Sequence, residues 1–191
     1  MHSALTSLLC LSAFLTVAQA VRPGQNVKAT ITHTKTGEQV VTVEAIFKPP
    51  PASVWKWFST EEGYKCWAAP VVRLDLRTGG KLETNYNKSA AIGDPGTISL
   101  DILNYVETEV LTFKVKLNES FSDRLRSEDD KLQEIIQLQR LPGGGTRMVS
   151  SMVGWGTGPD WDKAVAFFAR GNEWTYKNLS VCVSGGKPSM E

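Results

Sequence analysis

"GPDWDKAVAFFARGNEWTYKNLSVCV", residues 158–183, repeats apolar side chains at three- and four-residue intervals. That spacing lines one face of an α-helix. Asp160 stands just ahead of the periodic run, where an N-cap residue belongs. At about 100° per residue, Trp161, Val165, Phe168, Asn172, Thr175, Tyr176 and Leu179 fall on one face. Asp162, Lys163, Arg170, Glu173 and Lys177 fall on the other, and Phe167, Trp174 and Val181 recur along one flank. Close packing on a sheet explains the rings. It does not explain Gly171 and Asn172, which are too small and too polar for that role and imply room between the helix and its partner.

The partner is legible upstream. "VVTVEAIF" (40–47) is a strand rich in β-branched residues, stopped by "KPPP". "ASVWKWFSTEEGYKCWAA" (52–69) reads as two short helices, with Pro51 opening the first. From residue 70 the period becomes two. "VVRLDLR" and "KLETNY" form a hairpin about Thr78-Gly79-Gly80, and "TISLDILNYVE" and "VLTFKVKL" are long alternating strands joined near Thr108. "NESFSDRLRSEDD" (118–130) is charged and loop-like, expected to be mobile and to sit over a pocket mouth. "KLQEIIQLQRL" and "TRMVSSMVGW" make the last hairpin. The order is strand, two short helices, about six antiparallel strands, then one long helix to cover the curled sheet.

Residues 1–20 have an apolar centre from Ala4 to Val17 and end in Ala18-Gln19-Ala20, the pattern of a secretory signal peptide cleaved before Val21. The centre is shorter than the roughly 20 residues a spanning helix needs. Residues 21–37 form a polar extension in which Val27, Ala29 and Ile31 alternate as in an edge strand. Residues 38–184 form the domain and 185–191 a tail. Lys and Arg number 21 against 20 Asp and Glu, a balance that argues against nucleic acid as a partner. The expected location is periplasmic or secreted, with no stable membrane insertion after cleavage.

"PASVWKWFSTEEGYKCW", "LRTGGKLE", "GDPGTISLDILNYVETEVLTF", "GGGTRMVSSMVGW" and the closing aromatic helix together resemble the START-like (SRPBCC, birch-pollen-allergen-like and polyketide-cyclase-like) helix-grip superfamily. The branch they resemble is the domain of the activator of heat-shock-protein ATPase homologues. The resemblance covers roughly residues 38–183. It implies an α+β fold, a curved antiparallel sheet of about six to seven strands gripping the C-terminal helix. It also implies a cavity between them that usually holds an apolar or aromatic small molecule, closed at one end by the two short helices. In that arrangement Cys66 and Cys182 become neighbours. An oxidising compartment favours a bond between them, with contact lacking a bond and two buried free thiols as the alternatives. The branch is usually cytosolic, so its chaperone partner does not carry over to an exported chain.

The chemistry is sparse. Beyond the signal the chain has one histidine, His33, which offers neither a Ser-His-Asp triad nor a zinc site with Cys66 and Cys182. "TGGK" and "PGGGT" lie between strands, as turns do, and not before a helix as a phosphate loop would. Asn87, Asn118 and Asn178 stand in glycosylation sequons, relevant only to a eukaryotic secretory route. No cofactor and no metal are expected. The leading reading is a non-enzymatic exported domain that binds a hydrophobic small molecule, with Trp55, Trp67, Trp155, Trp161, Val165, Phe168 and Asn172 lining its pocket. The second is a cofactor-free cyclase or isomerase with Asp101 or Tyr105 as acid–base group. Glu83 and Ser150 are further pocket candidates, and a solvated outer face is the plain alternative for Asp101. The third is a protein-interaction module with a filled core and an exposed aromatic patch.

Overall fold

A computed structural model describes residues 26–189. The expected signal segment 1–20 and the expected start at Val21 lie outside the described residues. The elements run β1 (Lys28–His33), β2 (Gln39–Phe47), α1 (Pro51–Ser59), α2 (Glu61–Trp67), β3 (Val71–Leu74), β4 (Lys81–Asn85), β5 (Ile98–Val106), β6 (Val110–Val115), α3 (Asp123–Ser127), a 3-10 turn at Asp129–Lys131, β7 (Gln133–Arg140), β8 (Thr146–Val153) and α4 (Pro159–Val183). The strands form one antiparallel sheet in the order β1-β2-β8-β7-β6-β5-β4-β3. This is the expected helix-grip architecture, with eight strands where about six to seven were read. The additional one is β1. Its alternation is diluted by Lys28, Thr30 and Thr32, and most of it is exposed. It is held by pairing with β2 and by its Ala29 N–H, which donates to Glu173 Oε2 of α4 at 2.8 Å.

Between β2 and β3 the chain must cross from one side of the sheet to its far edge. The crossing is made by α1 and α2, so these helices close one end of the grip. Thr60 links them: it ends α1 and its hydroxyl caps α2, accepting the Gly63 N–H at 3.0 Å. Curvature has a local source in β5. Pairing with β6 shifts between Ile102 and Asn104, leaving Leu103 as the extra residue of a bulge.

Two elements differ from the sequence reading. Asp160 is not the N-cap of α4: Gly158 is, at φ 102°, with Pro159 in the first turn. Gly adopts that backbone without steric penalty, and Pro, lacking an N–H and fixed near helical φ, suits the first turn. The charged segment 118–130 is not plain loop. Ser122 caps α3 by accepting the Leu125 N–H, and Leu125 is buried. Asp129 is buried too, accepting the Leu117 N–H at 2.8 Å and facing Lys116 Nζ at 3.1 Å. Glu128 Oε2 accepts the Trp161 indole N–H at 2.8 Å. Charges that suggested solvation are partly anchors.

The apolar interior divides in two. One cluster joins α1, α2 and the end of α4 to the sheet through Val43, Phe58, Tyr64, Trp67, Phe113, Ile136, Tyr176 and Leu179. The other joins the start of α4 to Val41, Leu117, Leu125, Leu132 and Met152 around Trp161 and Val165. Each fully buried side chain of this kind contributes about 1.5–3 kcal/mol.

Candidate functional site

A cavity of about 380 Å³ lies between the concave face of the sheet and the middle of α4. Small-molecule sites occupy about 300–1,000 Å³. Its walls are mostly apolar: Leu82, Ile98, Leu100, Phe113, Ile136 and Met152 from the sheet face Phe168, Asn172 and Tyr176 from α4. The space exists because the helix presents so little at one turn. A Cβ built on Gly171 meets nothing within 4 Å. Asn172 reaches the sheet only through its amide, 3.1 Å from Met152 Sδ.

The mouth is aromatic and partly solvated. Tyr86 and Phe167, 56% and 53% exposed, stand there with Lys116, Asn118, Ser120 and Phe121. Phe121 stacks on Phe168 with ring centres 5.7 Å apart and meets Phe167 edge-on at 5.7 Å. The start of the 118–130 segment therefore lines the opening.

A second polar cluster gathers against the cavity at its inner end. Glu134 of β7 shares its face with Leu132, Ile136 and Leu138. It is half-buried and lines the cavity. The Ser150 hydroxyl of β8 and the Tyr176 hydroxyl of α4 both donate to its Oε1, each at 2.6 Å. Burial pushes the Glu134 carboxyl above the ordinary glutamate range, and the two hydrogen bonds oppose that only in part. Burial, together with neighbouring Glu134, pushes the Tyr64 and Tyr176 hydroxyls well above the ordinary tyrosine value. Tyr64 is buried at the same end, and its hydroxyl has no hydrogen-bond partner among the described residues. Trp67 stacks between the two tyrosines, 5.1 Å from Tyr64 and 5.6 Å from Tyr176. No group of three or more His, Cys, Asp and Glu among the described residues is placed to hold a metal ion.

Trp67, Phe168 and Asn172 line the cavity. Trp55, Trp155, Trp161 and Val165 lie outside its lining. Trp161 and Val165 fill the interior around the start of α4, where the helix lies tight on the sheet. Trp155 is half-buried against Trp161 and Phe168, and its indole N–H donates to Met152 O. Trp55 is buried under α1 and stacks on Tyr105 at 6.3 Å. Asp101 points to the outer face, 3.5 Å from Lys81, and Glu83 pairs with Arg73 on the same face at 2.6 Å. Ser150 stands behind Glu134 and orients it. His33 is exposed on β1. Asn178 is buried in α4, which closes that sequon in the folded chain. Cys66 and Cys182 have Cα atoms 6.2 Å apart and are joined as a disulfide. Sequence reasoning passed over Glu134 and Tyr64. The signal for Glu134 was present: an acid in phase with Leu132, Ile136 and Leu138.

The family described as "Activator of Hsp90 ATPase homolog 1-like protein" matches residues 48–184. No curated protein sequence matches. Protein MLL2253 from Mesorhizobium loti aligns at 15% identity over 78% of this chain and 99% of its own, with a TM-score of 0.62. CalU16 from Micromonospora echinospora aligns at 19% identity over 87% of this chain and 88% of its own, TM-score 0.60. The Aha1 dimer from Colwellia psychrerythraea aligns at 12% identity over 80% of this chain and 98% of its own, TM-score 0.57. At these identities the solved structures speak to the fold.

Proposed function

The chain belongs to the family of Activator of Hsp90 ATPase homolog 1-like proteins, and from that premise we propose that it binds a hydrophobic or aromatic small molecule in the cavity between the sheet and α4. The observation that carries this reading is the cavity itself: about 380 Å³ of space, apolar along its walls, with one polar cluster at its inner end. A protein-interaction module with a filled core would leave no such space. Export belongs to the same reading. The pattern of residues 1–20 and the Cys66–Cys182 bond support a chain processed before Val21 in an oxidising compartment.

Native mass spectrometry of protein recovered from the exported fraction without denaturation tests both parts. The expected protein mass is that of a chain starting at or near Val21, and the expected complex carries an additional small organic mass. Gly171→Leu places a side chain in the open turn of α4 and is expected to remove that mass while the protein remains folded. A protein mass that still includes Met1 would sink the export reading. A ligand-free chain that also binds no apolar probe would sink the binding reading.

A further inference from the structure

Every charged-type side chain along the cavity is accounted for by two residues. Lys116 stands at the mouth, neutralised by Asp129 at 3.1 Å and Asp130 at 3.2 Å. Glu134 stands at the inner end. Around Glu134 the packed elements contribute Tyr64 from α2, Phe113 from β6, Ser150 from β8 and Tyr176 from α4, and none contributes a Lys, Arg or His. An ionised carboxylate buried without a cation is costly, so the acid is held in its protonated form or is met by a charge from the ligand. The surroundings choose between these: in an apolar lining with no cation facing it, the acid keeps its proton. Both hydroxyls converge on Oε1, and their bonds offset the burial of the carboxyl only in part. Oε2 is thereby left for the cavity. The Tyr64 hydroxyl lies near the same wall, without a partner among the described residues and sealed from the cavity. A buried unmade hydrogen bond of this kind costs about 1–3 kcal/mol.

We propose that the cavity takes an uncharged, largely apolar ligand carrying a hydrogen-bond acceptor oxygen at its inner end, a ketone or quinone carbonyl for example, and that Glu134 receives that oxygen as a proton donor through Oε2. The proposal rests on the ligand-binding reading above and specifies its ligand class. The burial that raises the Glu134 pKa acts in its favour. The position of Lys116 fits as well: an anionic ligand would find its only cation at the mouth, already paired, and a carboxylate at the inner end.

The test uses four probes of one shape, naphthyl methyl ketone, ethylnaphthalene, naphthoate and naphthylmethylammonium, measured by equilibrium dialysis on the full mature chain. The ketone is expected to bind about five- to tenfold more tightly than ethylnaphthalene, the worth of one neutral hydrogen bond. Naphthoate and the ammonium are expected to bind no better than the hydrocarbon. Raising the pH through the raised Glu134 value removes its proton and is expected to erase the ketone's advantage. Glu134→Gln keeps a neutral acceptor for Ser150 and Tyr176 and a donor for the ligand. It is expected to retain the advantage within about threefold and to lose the pH dependence. Should that variant fail to fold, the pH series on the unaltered chain decides alone. Equal binding of ketone and hydrocarbon overturns the proposal and leaves the ligand-binding reading standing. A preference for the ammonium that Glu134→Gln abolishes also overturns it, by making Glu134 an anion. Failure of all four probes removes the reading on which it stands.

Discussion

Glu134 shows how a single side chain sets the character of a site and leaves a measurable trace in stability. Its carboxyl is raised by burial, so over some pH interval the folded chain holds a proton that the unfolded chain has released. The associated stability is complete below the ordinary glutamate value and is lost as the pH rises through the raised value. Exposed carboxylates act in the opposite sense: Arg147 lowers Glu44, and the Leu74 N–H lowers Glu61. Those terms cancel when the protein is compared with Glu134→Gln. Urea unfolding of both, from about pH 4 to about pH 8, is expected to show the unaltered chain losing stability relative to the variant as pH rises. A flat difference would mean that the acid titrates as if exposed. The sequence drew attention instead to Asp101, because Leu100, Ile102 and Leu103 flank it. On a strand, flanking residues point to the opposite face, and companions lie two positions away. Asp101 sits opposite Lys81 and Lys114 on the outer face, and Leu103 is apolar next to Ile102 because it is the bulge residue. Period two identifies the inward acid as Glu134 once it is read along Leu132, Ile136 and Leu138.

At the scale of elements, α4 was legible as a helix over its whole length because its pattern is long and unbroken. Which of its faces touches protein and which touches space was not, since that depends on the strands opposite. The helix is tight on the sheet at Trp161 and Val165 and stands away from it around Gly171 and Asn172. Two residues on one stripe therefore have different jobs. Trp161 is fully buried, bonded to Glu128 and surrounded by core, so Trp161→Ala is expected to cost about 3–5 kcal/mol in chemical unfolding and to leave probe affinity nearly unchanged. Phe168 is only partly buried and faces the cavity between Phe121 and Trp155. Phe168→Ala is expected to cost less than half as much and to weaken ethylnaphthalene binding. Equal stability losses with unchanged binding for both would mean that the cavity wall lies elsewhere. Segment 118–130 was misread for a related reason: charge in a sequence signals solvent only until its partners are known. Asp129 and Glu128 find theirs in Leu117, Lys116 and Trp161.

Across the whole molecule, local signals gave the hairpins β3–β4, β5–β6 and β7–β8, but not the pairing of β2 with β8, which joins residues about a hundred positions apart. That pairing carries no mark in either strand; it joins the first hairpin to the last one and leaves β1 and β3 as the edges of the sheet. It also forces α1 and α2 across the end of the grip, where Tyr64 and Trp67 meet Tyr176. The bond between Cys66 and Cys182 pins these parts, closing a loop across 116 positions. Chain-entropy reasoning gives about 4–5 kcal/mol for a loop of that length, and measured values more often fall near 2–4 kcal/mol. Thiol counting on the protein, denatured without reductant, is expected to find Cys66 and Cys182 unavailable, and both free after reduction. The double variant Cys66→Ser, Cys182→Ser is expected to lose about 2–4 kcal/mol in urea unfolding. Because the bond holds α2 against α4 at the inner end, the same variant is expected to weaken ketone binding more than ethylnaphthalene binding: the hydrocarbon needs only the walls, the carbonyl needs Glu134 held in place by Tyr176 of α4. Free thiols in the untreated protein would rule out the bond. A stability loss that weakened both probes equally would show that the bond secures the fold as a whole, and not the geometry of the inner end.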